Sequence, residues 1–470
     1  MSLGPVRDST TTALPPVTGL PEPEPEHPLA GRFLLHINLV FVAALASNTL
    51  GFFVAILLAR ALGPEGRGTA ALYQAAVSLG FAFLNLGVSA AGFYYVARNE
   101  FSLRQATEAG FSISLFAAGV SAVGVGVTAL FFDGQVEGRD IPYALVIPTI
   151  PAVIQLRLAE GLLRAGGRFT AMNVLELALP LSMLSCLGAV ELASGLTVSS
   201  AVWAWSLAYL PPLLLAYALL GPRSWPRRLA SLSLLVKAVK FGGQGQITNL
   251  IQLLNYRLDV FLILVFVNTG GVGLYTVASS QTEGLWIIAN SVAIVLLTSI
   301  TPADDARAAD ATPVVCRNTM LVTGVGAAGA ALIAWLWIPV VFGEAYRESV
   351  LPYLLLLPGT VAIAGAKILG SYVFSRGRPI INAWIALATL LATIPTDIVL
   401  IHLFGVPGAA LGTTLGYFLT LALSALAYRA LSGRPILPAL LPQPQDAALY
   451  GNAARAALRR LRRRNEAAAA

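Results

Sequence analysis

The sequence predicts an all-α membrane protein with twelve transmembrane helices in two six-helix lobes related by a parallel internal repeat. Three observations carry this reading. Only 11% of the 470 residues are charged and 57% are hydrophobic, whereas soluble chains carry about 25% charge; the mean hydropathy is +0.75. Apolar runs that can cross a hydrocarbon core of about 30 Å, roughly 20 residues of helix, recur along the whole chain. The pattern of those runs also repeats once.

Residues 1–32 are rich in Pro, Thr and Glu, as in PEPEPEHP from Pro21 to Pro28. Such a segment cannot bury a core, and it reads as a disordered cytoplasmic tail without a signal peptide. The N-terminal lobe, 33–221, holds expected spans at 33–59, 69–97, 109–132, 141–163, 171–190 and 197–221. A basic cytoplasmic linker, 222–240, follows. The C-terminal lobe, 241–431, holds spans at 241–267, 273–298, 318–343, 351–374, 381–402 and 406–428, and 432–470 is a basic cytoplasmic tail containing ALRRLRRR.

Cytoplasmic loops hold the Lys/Arg excess of a membrane protein. With the N-terminus inside, 23 of the 30 Lys and Arg fall in cytoplasmic segments, and only Arg60, Arg67, Arg139 and Arg347 fall in outer loops. Both termini are therefore expected to be cytoplasmic. The net charge of +7 reads as topology and contact with anionic lipid, not as nucleic-acid binding.

Span starts in the two halves differ by a nearly constant 204 to 210 residues. Gly167-Arg168 before the fifth span mirrors Gly377-Arg378 before the eleventh, with Asn173 and Asn382 just beyond, and Gly68 mirrors Gly273. Each half has an even number of spans, so both enter from the same side. An axis along the membrane normal should relate them, with a substrate path between the lobes.

Chemistry is not expected. Cys186 and Cys316 form no CxxC, and His27, His36 and His402 are scattered, so no metal or cofactor is implied. The sequence contains no phosphate-binding loop, no H-E-x-x-H and no G-x-S-x-G, and the expected outer loops are too short to hold a sugar acceptor. Transport by rocking two lobes is the simpler account.

Several segments carry a family resemblance: LLARALGPEGRGTAALYQAAVSLGFAFLNLG (Leu57–Gly87), NYRLDVFLI (Asn255–Ile263), VGLYTVASSQTEGLW (Val272–Trp286), FGEAYRESVLPYLLLLPG (Phe342–Gly359) and FGVPGAALGTTLGY (Phe404–Tyr417). Over roughly 34–431 the chain resembles bacterial polysaccharide repeat-unit flippases of the multidrug/oligosaccharidyl-lipid/polysaccharide exporter superfamily. The resemblance implies two lobes forming a V whose opening alternates across the membrane. It also implies a polyprenyl pyrophosphate carrying an oligosaccharide as substrate. Some relatives carry two further C-terminal helices where this chain has its arginine-rich tail.

Charges within spans cost about 2.5 to 3.5 kcal/mol each and should face protein or water. In the seventh span Thr248, Asn249, Gln252, Asn255, Tyr256 and Asp259 share one helical arc, a polar stripe. Arg257 and Asp259 lie about 200° apart around that helix and cannot pair well with each other. Arg257 and Glu283 sit at matching depth on adjacent antiparallel helices and are expected partners. Swapping the two charges would restore function if the pair only locks the lobe.

Arg157 and Lys367 are 210 residues apart and place cations at equivalent depths toward the cytoplasmic mouth, where a pyrophosphate would be gathered. For Arg157 the alternative is local pairing with Glu160. Arg60, Asn249, Gln252 and Arg257 join them as candidate substrate contacts, although Arg60 could equally snorkel to the interface. Asp259, Glu283, Glu176 and Asp397 are candidates for Na⁺ or H⁺ coupling or for static pairs. The alternative functions are a multidrug cation antiporter of the same architecture and a non-transporting scaffold for polysaccharide assembly. Expected partners are a lipid-linked oligosaccharide, membrane lipids and polysaccharide-assembly proteins.

Overall fold

The computed structural model describes residues 28–132, 142–301, 304–441, 443 and 446, with the side chains of 28–41, 128–132, 244 and 298 excepted. Residues 1–27 of the expected N-terminal tail and 447–470 of the basic tail lie outside the described residues. The described chain is all helical in its regular structure. In order it forms α1 (Pro28–Leu84), α2 (Val88–Ala97), α3 (Leu103–Phe132), α4 (Val146–Ala165), α5 (Phe169–Ser194), α6 (Val198–Leu207), α7 (Leu210–Leu220) and α8 (Leu232–Phe266). It continues with α9 (Thr269–Gly284), α10 (Trp286–Ile300), α11 (Asp305–Phe342), α12 (Val350–Ser375), α13 (Pro379–Phe404), α14 (Val406–Ser432) and α15 (Leu437–Leu440).

Among the described residues, eleven helical stretches are long and apolar enough to cross a membrane, not the expected twelve. The difference lies in α1, which joins the first two expected spans. Gly63 (φ 65, ψ −179) interrupts its helical path, and Pro64 follows. This left-handed conformation is accessible to glycine without a Cβ clash, and proline fits the first turn of a new helix. The chain therefore bends at Gly63 without leaving helical structure for more than a residue.

Several helices outrun their apolar spans. α1 begins at Pro28, inside the expected tail. α8 begins at Leu232, so Lys237 and Lys240 stand on a helix and not in a loop. α11 begins at Asp305, where the Asp304 carboxylate accepts a hydrogen bond from the Arg307 N–H at 2.7 Å and caps the helix. A charge-free run measures the apolar thickness, whereas caps and glycines decide where the helix ends.

The buried cores follow the sequence halves in part, with α1 contributing to both. One contains Tyr73, Ile154, Leu158, Leu162 and Tyr209. A second gathers Ile263, Tyr275, Ile338, Tyr353 and Ile401, with Ala59 and Ala71 from α1. A third gathers Trp286, Ile368, Tyr372 and Tyr428. Large apolar side chains such as Leu214, Val265, Leu332 and Leu336 remain exposed on the outside, as lipid-facing positions do.

The halves touch at two levels. At the Gly63 end, Gly68 of α1 meets α9 so closely that a Cβ on Gly68 would lie 1.9 Å from the Thr269 carbonyl oxygen, and one on Gly273 would lie 1.9 Å from that of Pro64. Small residues permit such backbone approach between membrane helices. About 28 Å further along the chain at helical rise, Gly87 abuts Gly242 of α8, where either Cβ would meet the other backbone at 2.1 Å. Beside it, Tyr94 stacks on Phe241 (4.1 Å between centroids), Lys237 Nζ donates to Glu100 at 2.8 Å, and Gln246 donates to the Ala82 carbonyl at 2.6 Å.

Within the C-terminal half, Gly408, Gly412 and Gly416 of α14 line up against α13, where added Cβ atoms would meet Leu400 O, Asp397 Oδ1 and Thr393 Oγ1. The start of the basic tail is docked on α11. Arg317 and Asp446 form a buried bidentate pair at 2.7 and 2.8 Å, Arg317 also donates to the Pro438 carbonyl at 3.1 Å, and Ala439 is buried.

Candidate functional site

The polar stripe of α8 becomes the wall of a cavity inside the C-terminal half. Thr248, Gln252 and Tyr256 face α10, α12, α13 and α14 across a space of about 660 Å³. Asn290, Lys367, Ser371, Asn382, Thr420 and Ser424 complete its polar lining, and no carboxylate is among the described residues that line it. Gln252 and Tyr256 also border a smaller chamber of about 50 Å³ with Thr389, Thr393, Thr413 and Gly416. The two spaces are neighbours across these shared residues.

Lys367 on α12 supplies the cavity's cation. Its Nζ donates to Asn290 Oδ1 at 2.8 Å and lies 4.4 Å from the centre of the Trp286 ring. Neither partner carries a negative charge. Trp286, Tyr256 and Tyr417 form an aromatic cluster behind it, with ring centres 5.0 to 6.4 Å apart.

Arg257 faces away from this cavity and grips Glu283 in the last turn of α9, with Nη1–Oε1 at 3.2 Å and Nη2–Oε2 at 3.4 Å. The pair is partly accessible, 33% for Arg257 and 27% for Glu283. Asp259, two residues on, turns to the opposite side, as the helical spacing requires. It accepts hydrogen bonds from the Tyr275 hydroxyl, from Thr413 Oγ1 at 3.2 Å and from the Val260 N–H at 2.9 Å. Asp397 on α13 is also buried, and its Oδ1 has no hydrogen-bond partner among the described residues.

The remaining predicted residues are dispersed. Asn249 is exposed and off the cavity wall, whereas Gln252 is on it and donates to the Tyr256 hydroxyl at 3.0 Å. Asn255 donates to the Ala386 carbonyl at 2.9 Å, tying α8 to α13. Arg157 is bound to Glu160 of its own helix at 2.9 Å and is half exposed, so its surroundings are not those of Lys367 despite the repeat. Glu176 is partly buried on α5, and its main-chain carbonyl accepts from Ser47 at 3.2 Å.

Arg60, a candidate substrate contact, is exposed and hydrogen-bonded to another helix. Its Nε donates to the Val341 carbonyl at 2.7 Å and its Nη2 to that of Val340. These are carbonyls of the last turn of α11, which have no further helical turn to bond. Arg60 thereby joins α1 to α11 at the same end of the molecule where Tyr346 donates to the Ala59 carbonyl at 3.2 Å.

Arg67 corrects an expectation. It was placed in an outer loop by its charge, yet it is 5% exposed, and its Nε and Nη1 are buried without a hydrogen-bond partner among the described residues. The sequence signal was the helical continuation from Pro64 into the apolar run beginning at Thr69, which puts Arg67 within the helix. Trp286, Asn290 and Tyr275 were missed because each acquires its role only through contact with another helix.

A family profile described as "Polysaccharide biosynthesis protein" matches residues 36–303. No curated protein sequence matches the chain. Among solved structures, the lipid II flippase MurJ in its inward closed conformation is similar with a TM-score of 0.68 at 15% identity, covering 83% of this chain and 87% of that one. An inward-facing multidrug resistance MATE family transporter of the MOP superfamily has a TM-score of 0.64 at 13% identity, covering 82% and 94%. A MOP superfamily transporter from Pyrococcus furiosus has 0.59 at 12%, covering 84% and 95%. At these identities the likeness establishes the fold.

Proposed function

The chain belongs to the polysaccharide biosynthesis protein family as a multi-pass membrane transporter and not an enzyme, and on that premise we propose that it flips polyprenyl-pyrophosphate-linked oligosaccharide repeat units. Translocation runs across a bacterial inner membrane by alternating access of two six-helix lobes, with both termini cytoplasmic. Counting the bend at Gly63 as a turn gives twelve crossings. Support for a parallel repeat comes from Gly68 and Gly273, equivalent residues in the two halves that meet each other. Equivalent residues can touch only beside the axis that relates them. The left-handed turns at Gly167 and Gly377 (φ 67 and 70) recur at the same offset.

The observation that carries the substrate class is the cavity of about 660 Å³ in which Lys367 is the one charged residue among the described lining. A cation amid hydroxyls, amides and an aromatic cluster suits a phosphate joined to sugars, since the ammonium holds acidic oxygens and the amides hold hydroxyls. A drug cation would find no counter-charge on that wall. Arg257, turned away from the cavity and held by Glu283, is the second phosphate contact, and it becomes available when the lobes move.

Coupling to Na⁺ or H⁺ is assigned to Asp259 and Asp397. Both are buried carboxylates in the C-terminal lobe, and Thr413 links Asp259 to the small chamber. Glu176, in the other lobe and partly accessible, stands apart from them.

The test is translocation of a short-chain polyprenyl-pyrophosphate oligosaccharide in proteoliposomes. Lys367→Gln is expected to slow flipping by about tenfold or more, the scale of one charge-assisted contact, with Lys367→Arg retaining most of it. Undiminished flipping in Lys367→Gln and Arg257→Gln together would remove this substrate reading.

A further inference from the structure

Arg67 presents a physical anomaly. It sits between Gly66 and Gly68 on the first turns of the helical segment that starts at Pro64, with Gly68 pressed onto α9. Its Nε and Nη1 are sealed from solvent and bond to nothing among the described residues. Its electrostatic neighbours are the Tyr346 hydroxyl and the Arg257 guanidinium, and no carboxylate is among them. A buried charge is ordinarily paired, because an unpaired guanidinium loses its hydration and gains nothing in return. Here the nearby charged group is another guanidinium, that of Arg257, which Glu283 already holds.

The surroundings add to the positive field. The N-terminal end of α9 at Thr269 meets the first turns after Pro64 at the same place, so two helix ends with positive dipole character converge beside Arg67. Glu65, the carboxylate nearest in sequence, is exposed. The Gly68–Gly273 contact leaves no room for a ligand while it is closed, since a single Cβ would already overlap the opposing carbonyl.

We propose that Arg67 is an anion-binding residue at the outward end of the transport path, hidden while the lobes touch at Gly68 and Gly273 and presented to acidic phosphate oxygens when they part. Separating α1 from α9 hydrates the guanidinium and frees two N–H groups for one phosphate, which its fork can bind in bidentate fashion. An anion held there favours the outward-open arrangement, because it binds that state and not the closed one. The ligand class, a pyrophosphate, rests on the flippase reading above, whereas the unpaired state of Arg67 does not.

Two measurements on the full chain in nanodiscs test this. In the first, Gly273→Ala wedges the outer contact open and inorganic pyrophosphate is titrated. Affinity is expected to rise over the unaltered chain, and Arg67→Met in the Gly273→Ala background should lower it about tenfold or more. If Lys367→Gln or Arg257→Gln weakens binding while Arg67→Met does not, the cavity reading stands and the Arg67 site falls. If none of the three matters, pyrophosphate recognition falls with it.

The second measurement is thermal stability of Arg67→Met with Gly273 intact. Removing an unpaired buried charge while keeping its volume should raise the melting temperature. A fall would mean that a partner holds Arg67, and it would overturn the proposal.

Discussion

Arg257 and Glu283 illustrate how far single residues can be read. Equal depth on antiparallel neighbours placed them together, and the bidentate contact follows from it. Because about a third of each side chain is accessible, the pair should contribute only about 1 kcal/mol to stability. The exchange Arg257→Glu with Glu283→Arg is therefore expected to restore the melting temperature lost in either single variant, yet not transport, if Arg257 also receives phosphate. Full recovery of flipping would reduce the pair to a lock. Asp259 behaves differently, since it is buried with three donors. Tyr275→Phe removes one donor from a buried carboxylate and should cost about 1 to 3 kcal/mol, read by thermal or denaturant unfolding in detergent. Arg60 and Arg67 were not legible in this way. Charge counting assigns an arginine near a span end to a loop, whereas a carbonyl of another helix claims Arg60 and the inter-lobe contact buries Arg67.

Among the elements, helix existence followed from apolar length, but the ends did not. α8 and α11 continue well past their charge-free runs because nothing in a hydropathy pattern encodes a cap such as Asp304. The C-terminal strap shows the same gap. Asp446 lies eighteen residues beyond the expected last span, and its docking onto Arg317 of α11 depends on tertiary geometry. That hydrogen-bonded pair holds the Asp446 carboxyl down at about 2, below its ordinary 3.8. A depressed carboxylate adds stability in full above the unfolded value and loses it as pH falls through the folded one. The strap should therefore stay docked at pH 4 and release near pH 2. Pepsin cleavage within the strap, slow at pH 4 and fast below pH 2, reads this, and Asp446→Asn should be cut rapidly at both. Equal cleavage of the two chains at pH 4 would show that the carboxylate does not hold the strap.

For the molecule as a whole, the repeat was the most informative feature of the sequence. It shows in the span offsets, as expected if each half crosses the membrane with the same apolar lengths and glycine turns recur where the path reverses. One core draws on the N-terminal half, while the core around Tyr275 and Tyr353 takes Ala59 and Ala71 from α1. What the repeat did not reveal is the asymmetry of function. Lys367 faces a cavity while its counterpart Arg157 is taken by Glu160, and Asp259 and Asp397 are both buried in the C-terminal half. Equivalent backbone positions constrain where a side chain starts, whereas neighbouring helices decide where it ends.

Alternating access requires the contacts at Gly68–Gly273 and Gly87–Gly242 to open in turn. It is tested most directly by spin-label distances across both ends of the reconstituted protein, with Cys186 and Cys316 replaced. One pair is placed at Glu65 and Arg347, the other at Arg98 and Lys240, all exposed positions. Adding a lipid-linked oligosaccharide should lengthen one distance while the other shortens or stays closed. Two distances that never change, or that lengthen together, would contradict alternating access by these lobes.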